Sequence, residues 1–198
     1  MCIRDSLYDV LKIARRNGAV LICDEVQSGI YRCGEFPFAH QTAGISPDIV
    51  TCAKGIASGF PMGACVARME VAEAFEPGDH GSTFGGSNLA MAAAYATLST
   101  LKKGSFATDV QELGFYFGDE LMKIDGITDV RGSGLMVGAD LEEGIDAHKV
   151  VEEGLEAGFL LNATGGNTLR FLPPLICTKK EIDILIEALP ALLEAARS

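Results

Sequence analysis

Two side chains of opposite charge follow two apolar runs of the sequence. Asp24 comes directly after residues 19–23, and Lys54 comes directly after residues 49–53. In an open α/β sheet, ligands bind outside the carboxyl ends of the strands, so an acid and an amine delivered there by neighbouring strands predict a site rather than a solvated surface. The pair suits a lysine that forms a Schiff base and an acid that keeps the ring nitrogen of a pyridoxal cofactor protonated.

Other interpretations of the same residues stay open at this point. Asp24 and Glu25 after a buried strand are also typical of the magnesium-binding strand of P-loop ATPases, in which Glu25 would be the base. The G-x-x-x-x-G-K-[ST] loop of those proteins does not occur in the sequence. An acidic turn and a lysine can equally be solvated. Gly55 and the turn 59–63 favour the cofactor interpretation, because their glycines let the backbone approach a flat ligand.

The overall composition limits the classes of function. The chain has 198 residues and a formal net charge of −11, and its 16 Lys and Arg residues form no basic cluster for a phosphate backbone. No apolar stretch approaches the roughly 18 residues of a membrane span, and the first residues lack the basic-then-apolar order of a signal peptide. We expect one or two packed domains of a cytoplasmic protein that binds neither nucleic acid nor membrane.

The six cysteines and three histidines predict neither disulfides nor a metal site. Cys23, Cys52 and Cys65 lie inside apolar runs, and no C-x-x-C occurs. Such cysteines typically act as small apolar core residues in proteins of a reducing compartment. The histidines share no ligand spacing with one another or with the cysteines.

Hydrophobic periodicity predicts an α/β region in the first half of the chain. A helix is expected to begin at an S-x-x-D cap formed by Ser6 and Asp9 and to end at Gly18. Strands are then expected to alternate with other elements as in a parallel sheet; they lie at 19–23, 49–53 and 64–67. Two helices should follow, the first behind a cap at Ser87 and Asn88, joined around Gly104.

The second half predicts a smaller α+β unit. The expected elements are strands at 127–130, 135–141, 159–161 and 168–172 and a helix at 146–157. A last helix should begin at a capping box formed by Thr178 and Glu181, with a kink at Pro190.

Five ordered motifs resemble the class III pyridoxal-phosphate-dependent aminotransferases. They are the runs 24–29 (DEVQSG), 53–55 (AKG), 59–63 (GFPMG), 80–86 (HGSTFGG) and 167–174 (NTLRFLPP). The resemblance implies the type I pyridoxal-phosphate fold, a large mostly parallel-sheet domain followed by a small α+β domain. On this basis residues 1–6 are a non-family start, residues 7–104 the C-terminal part of the large domain, and residues 105–198 the small domain with its leading helix.

The resemblance also implies roles for residues of the large domain. Asp24 would pair with the pyridinium nitrogen of pyridoxal 5'-phosphate, Val26 would pack on the ring, and Gln27 would approach its phenolic oxygen. Lys54 would hold the cofactor covalently and then shuttle the substrate proton as general base and acid.

Three further residues acquire roles from the resemblance. Ser82 and Thr83 would reach across a homodimer interface to the partner's cofactor phosphate. Taken by itself, the sequence STFGG would indicate only a Ser/Thr turn. Arg170 would bind a substrate carboxylate with its planar fork, where the alternative is a structural ion pair. After residues 85–86 the family usually has Asn-Pro, whereas this chain has Ser87 and Asn88.

The wording of the motifs at 80–86 and 165–175 resembles the arginine-pathway members of the family. The resemblance therefore implies transamination from N-acetylornithine to 2-oxoglutarate, giving N-acetylglutamate semialdehyde and glutamate in arginine biosynthesis. Within the family, ornithine, succinylornithine or 4-aminobutyrate transaminases and glutamate-semialdehyde aminomutases remain alternatives. Because the first strand already carries the acid and the family's phosphate cup lies upstream, we expect an N-terminally truncated chain that is inactive alone. A non-catalytic truncated chain is the alternative from another class.

Overall fold

The computed structural model describes residues 3–197, with side chains from Tyr8 to Arg197. These residues form two compact units. The first combines the chain up to Tyr31 with Phe36–Ser105, and the second combines Arg32–Glu35 with the chain from Phe106 onward.

The first unit contains a three-stranded sheet in the order β1-β2-β3. Its strands are β1 (Ile22–Asp24), β2 (Ile49–Cys52) and β3 (Ala64–Ala67). β1 and β2 are parallel, as expected, with Asp24 opposite Thr51. β3 is antiparallel to β2 and so departs from the expected parallel order. The reason is length, because residues 53–63 are too few for the crossover that a parallel pair requires.

Four helices accompany this sheet. They are α1 (Ile3–Arg16), α2 (Ala39–Thr42), α3 (Met69–Ala72) and α4 (Asn88–Lys103). α1 already begins at Ile3, so Ser6 lies within it, and the cap predicted for the Ser6 side chain lies outside the described side chains. Gly18, at φ +71°, follows the helix end as predicted. Ser87 is the N-cap residue of α4, but its side chain makes no capping hydrogen bond.

The second unit is an antiparallel sheet packed against helices. The helices are α5 (Phe106–Leu121), α6 (Ala147–Glu156) and α7 (Lys179–Ala195), and the strands are β4 (Ile127–Ser133), β5 (Met136–Leu141), β6 (Ala163–Thr164) and β7 (Thr168–Phe171). The sheet order is β4-β5-β7-β6. The capping box of α7 is confirmed, with Thr178 N donating to Glu181 Oε2 at 2.7 Å. This helix continues through Pro190.

The strand predicted at 159–161 is wrong, and the edge strand is β6 instead. Phe159 N donates to the Gly154 carbonyl at 2.7 Å, which ties residue 159 to the end of α6. Leu161 packs over Gly154, where an added Cβ would stand 2.8 Å from Leu161 Cδ1. Helix capping and apolar packing therefore hold this segment outside the sheet ladder.

Alternation along β5 and β7 separates the two faces of the second sheet. Ala139, Leu169 and Phe171 are buried against the helices, together with Phe117 of α5 and Leu189 of α7. Burial of this apolar face is the main stabilising contribution in the unit. The alternate residues of these two strands, which include Arg170 of β7, therefore lie on the opposite face of the sheet.

Candidate active site

Asp24 is the last residue of β1, and two neighbours fix its orientation. Thr51 Oγ1 donates to Asp24 Oδ1 at 3.1 Å, and Val26 N donates to the same oxygen at 3.0 Å. The side chain is exposed, and Oδ2 has no partner among the residues that the structure describes. The carboxylate is thus held through one oxygen while the other is open to a donor from a ligand.

Lys54 lies two residues beyond the end of β2 and begins the 3-10 turn Lys54–Ala57. Its side chain is exposed and makes no hydrogen bond or ion pair with any residue whose side chain the structure describes. Its backbone has φ +48°, in the left-handed region that disfavours residues with a Cβ. Non-glycine residues in this conformation cluster at functional sites. Because parallel β1 and β2 end at one edge, Asp24 and Lys54 stand at the same edge of the sheet, as their places in the sequence predicted.

A buried carboxylate holds the loop that follows Asp24. Glu25 is 3% exposed and accepts hydrogen bonds from Ser28 Oγ at 2.5 Å, Ala39 N at 3.1 Å, His40 N at 2.7 Å and His40 Nδ1 at 3.0 Å. Burial pushes the pKa of Glu25 upward, but the hydrogen bonds from Ser28, His40 and Ala39 outweigh this effect and hold the pKa below its ordinary 4.5. Glu25 therefore joins the loop to the start of α2 as an ionised anchor.

The hydrogen bonds of Glu25 hold the loop that contains two predicted cofactor contacts. Val26 and Gln27 lie between Glu25 and Ser28, and both are half-buried. Sequence reasoning considered Glu25 only as an ATPase base and missed its role in the loop. The signal that could have revealed it is the hydroxyl three residues later, a spacing common in side-chain-stabilised turns.

Ser82 and Thr83 lie in an exposed segment without helix or strand between α3 and α4. Ser82 Oγ accepts a hydrogen bond from Gly85 N at 3.0 Å, which closes a local turn. Thr83 is exposed. The contact of these residues with a partner's cofactor phosphate stays a prediction.

Arg170 lies on β7 in the second unit, directly opposite Gly138 of β5. Its Nε is buried and has no hydrogen-bond partner, and no carboxylate in the described part of the chain forms an ion pair with it. A buried donor without an acceptor is costly and is rare unless a ligand supplies the acceptor. Arg170 also borders a cavity of about 390 Å³ on the solvent face of the sheet. The geometry suits an incoming carboxylate.

Arg131 borders the same cavity, and sequence reasoning did not single it out. Its guanidinium donates to both oxygens of Asp140, at 2.5 and 2.8 Å, and to Asp129 at 3.1 Å. Hydrogen bonding to Asp140 raises the pKa of Arg131, and Arg131 together with Thr168 lowers the pKa of Asp140. The charge of Arg131 is therefore already compensated, whereas that of Arg170 is not.

The side chains of Asp24 and Lys54 fit a pyridoxal cofactor better than a metal ion. Asp24 offers an oriented carboxylate for a protonated ring nitrogen, and Lys54 offers an amine without a competing partner. Among the described side chains, from Tyr8 to Arg197, no group of three or more His, Cys, Asp or Glu residues could bind a metal ion. In the same range, no helix combines the length and apolar character needed to cross a bilayer.

Comparison with known proteins identifies similar sequences and structures. The class-III aminotransferase family model matches residues 4–193. The acetylornithine aminotransferase of Corynebacterium efficiens is 44% identical over 187 residues, which cover 94% of this chain and 46% of the relative.

Solved structures give a similar picture. Ornithine aminotransferase from Toxoplasma gondii superposes with a TM-score of 0.87 at 33% identity, covering 96% of this chain and 46% of that one. Acetylornithine aminotransferase from Elizabethkingia anophelis gives 0.85 at 31% identity, covering 95% and 51%. The chain spans about half the length of the curated relatives it matches.

Proposed function

This chain belongs to the class III aminotransferases, a family of pyridoxal-phosphate-dependent enzymes, and from that membership we propose that the protein containing it transfers the amino group of N-acetylornithine to 2-oxoglutarate. The products are N-acetylglutamate semialdehyde and glutamate, a step of arginine biosynthesis that we place in the cytoplasm. The observation that carries the proposal is that the Lys54 amine, which has no partner among the described side chains, and the oriented Asp24 carboxylate lie at the same edge of the sheet. The choice of amino donor follows the names of curated relatives such as the acetylornithine aminotransferase of Corynebacterium efficiens.

Five residues of the first unit have roles in this chemistry. Pyridoxal phosphate, when bound, supplies an electron sink for the carbanion formed at the substrate carbon. Asp24 accepts the hydrogen bond of the protonated ring nitrogen, and Thr51 and Val26 keep its other oxygen in place. Lys54 Nζ would take the proton from the carbon that carries the substrate amino group and pass it to the bound cofactor, and the second half-reaction would run this transfer in the opposite direction. Val26 packs on the ring, and Gln27 approaches its phenolic oxygen.

Substrate and partner contacts complete the proposal. Arg170 binds a substrate carboxylate, which supplies the acceptor that its buried Nε lacks. Ser82 and Thr83 contact the cofactor phosphate of the second subunit in a homodimer. In this proposal residues 7–104 are the C-terminal part of the large domain and residues 105–198 the small domain. From residue 7 onward these ranges match the two compact units except at Arg32–Glu35, which belong to the second unit, and at Ser105, which belongs to the first.

The test compares amino donors in the purified protein that contains this chain. Glutamate formation is measured with N-acetylornithine, ornithine, succinylornithine and 4-aminobutyrate, each with and without 2-oxoglutarate. We expect kcat/KM for N-acetylornithine to exceed that for each other donor by at least about tenfold, with no turnover when the oxo acid is omitted. A higher kcat/KM for ornithine than for N-acetylornithine would instead identify the protein as an ornithine aminotransferase. Consumption of glutamate semialdehyde without an oxo acid, measured in a separate reaction, would identify an aminomutase.

A further inference from the structure

Three residues form a row across the second sheet and share its solvent face. Arg131 of β4 is opposite Gly138 of β5, and Gly138 is opposite Arg170 of β7. Directly paired residues of antiparallel strands point to the same face. With strands about 4.8 Å apart, the two arginine backbones are separated by roughly 10 Å, and the middle position carries no side chain.

The charges in the neighbouring row draw Arg131 away from this gap. Asp129, Asp140 and Thr168 form that row, and both carboxylates accept hydrogen bonds from the Arg131 guanidinium. Thr168 donates to Asp140 at 2.5 Å and so completes the network. The space above Gly138 consequently remains open beside Arg170, the arginine whose Nε lacks an acceptor.

We propose that Gly138 is a substrate-binding position, because its missing side chain provides the room in which a substrate carboxylate reaches Arg170. The inference rests on the proposed function and deepens it. A Cβ at Gly138 would meet its nearest neighbours, Thr168 Cγ2 and the Arg131 carbonyl, at 3.6 and 3.8 Å. These are ordinary van der Waals contacts, so the fold itself does not require glycine here. What an added methyl group removes is space in the cavity next to the guanidinium.

Gly118 provides the matched control. It lies on α5 in the same unit, and a Cβ there would meet Val130 Cγ1 at 3.8 Å, a similarly relaxed contact. It does not border the cavity of Arg170. Gly138→Ala and Gly118→Ala therefore add the same methyl group without a close contact at either site. They differ in whether the methyl group borders the cavity that Arg170 lines.

The experiment measures glutarate binding to the 198-residue chain by following the Nε–Hε signal of Arg170 in nitrogen-15 NMR spectra. Arg170→Lys assigns the signal, and signals from the rest of the chain verify that each variant is folded. Glutarate carries two carboxylates and cannot be transaminated, so the result does not depend on turnover. We expect Gly138→Ala to weaken glutarate binding about tenfold and Gly118→Ala to leave it unchanged.

Equal affinity of Gly138→Ala and the parent chain would overturn the inference about Gly138. Saturable glutarate binding that is lost in Gly138→Ala would uphold the inference even if the protein that contains this chain shows no turnover of N-acetylornithine, a result that would reject only the proposed reaction. In an active preparation, Gly138→Ala should also raise KM for 2-oxoglutarate about tenfold while kcat stays near the parent value. A change confined to kcat would contradict a role in carboxylate access.

Discussion

Replacement of Glu25 by glutamine tests whether a buried carboxylate holds the loop beside the candidate cofactor site. The glutamine keeps the shape of the side chain but offers a single acceptor oxygen. If that oxygen takes the position of Oε1, it retains the hydrogen bonds from His40 N and His40 Nδ1. The amide nitrogen then occupies the position of Oε2 and faces the Ala39 N–H, so that two donors oppose each other. The Ser28 hydroxyl can rotate to accept from the new amide.

The expected loss follows from these contacts. One charge-assisted hydrogen bond disappears and one buried donor is left without an acceptor, which together cost about 2–3 kcal/mol. The pH dependence has a defined sign. Because the hydrogen bonds hold the pKa of Glu25 below 4.5, its contribution is complete above pH 4.5 and is lost as the pH falls through the folded-state pKa. Glu25→Gln should lack this acid-dependent part of the stability.

Hydrogen exchange at the Ala39 and His40 amides gives a local measurement of this effect. A loss of 2–3 kcal/mol corresponds to about 30- to 150-fold faster exchange of the Ala39 amide. Glu73→Gln is the control, because Glu73 is exposed and has no side-chain partner within the described range. If Glu25→Gln and Glu73→Gln leave the Ala39 amide equally protected at neutral pH, Glu25 does not anchor the loop.

Three further predictions concern the two units separately. Lys54→Ala should abolish transamination and leave no borohydride-fixed cofactor in mass spectra; a reduced adduct on another lysine would contradict the assignment. Arg170→Lys should weaken substrate binding by about 2–4 kcal/mol, seen as a raised KM, because an ammonium cannot replace the bidentate fork; an unchanged KM would return Arg170 to a structural role. Gly114→Ala should lower the thermal midpoint of the second unit, since an added Cβ would stand 2.1 Å from the Gly134 carbonyl oxygen, whereas Gly118→Ala on the same helix should not; equal midpoints would contradict the close helix–turn packing.

The elements with strong periodicity could be predicted from the sequence. α4, α5 and α7 lie where the apolar spacing placed them, and the type I α/β fold is confirmed by the solved relatives. The direction of β3 was not read from its residues, because strand polarity depends on the length of the preceding connection. The segment 159–161 was misassigned, because its apolar residues pack on α6 and a short apolar run does not distinguish the two cases.

Knowledge of the candidate site divides in a similar way. Asp24 and Lys54 could be located because each follows an apolar run, and their common sheet edge follows from strand order. The full roles of Glu25 and Gly138 could not. The spacing to Ser28 indicates only a local turn at Glu25, and the other partners of both residues are distant in sequence. The acceptor role of Glu25 requires α2 to be in place, and the gap above Gly138 exists only after β4 and β7 pair on either side of β5.

The left-handed backbone at Lys54 sets stability and catalysis against each other at one residue. A side chain with a Cβ at φ +48° costs about 1–2 kcal/mol relative to a relaxed conformation, and glycine carries no such penalty. Selection for a robust fold alone would consequently favour glycine at position 54, and screens for thermostable variants should recover it with the amine lost. Lysine at position 54 therefore lowers the stability of the fold in exchange for the amine that the proposed reaction requires.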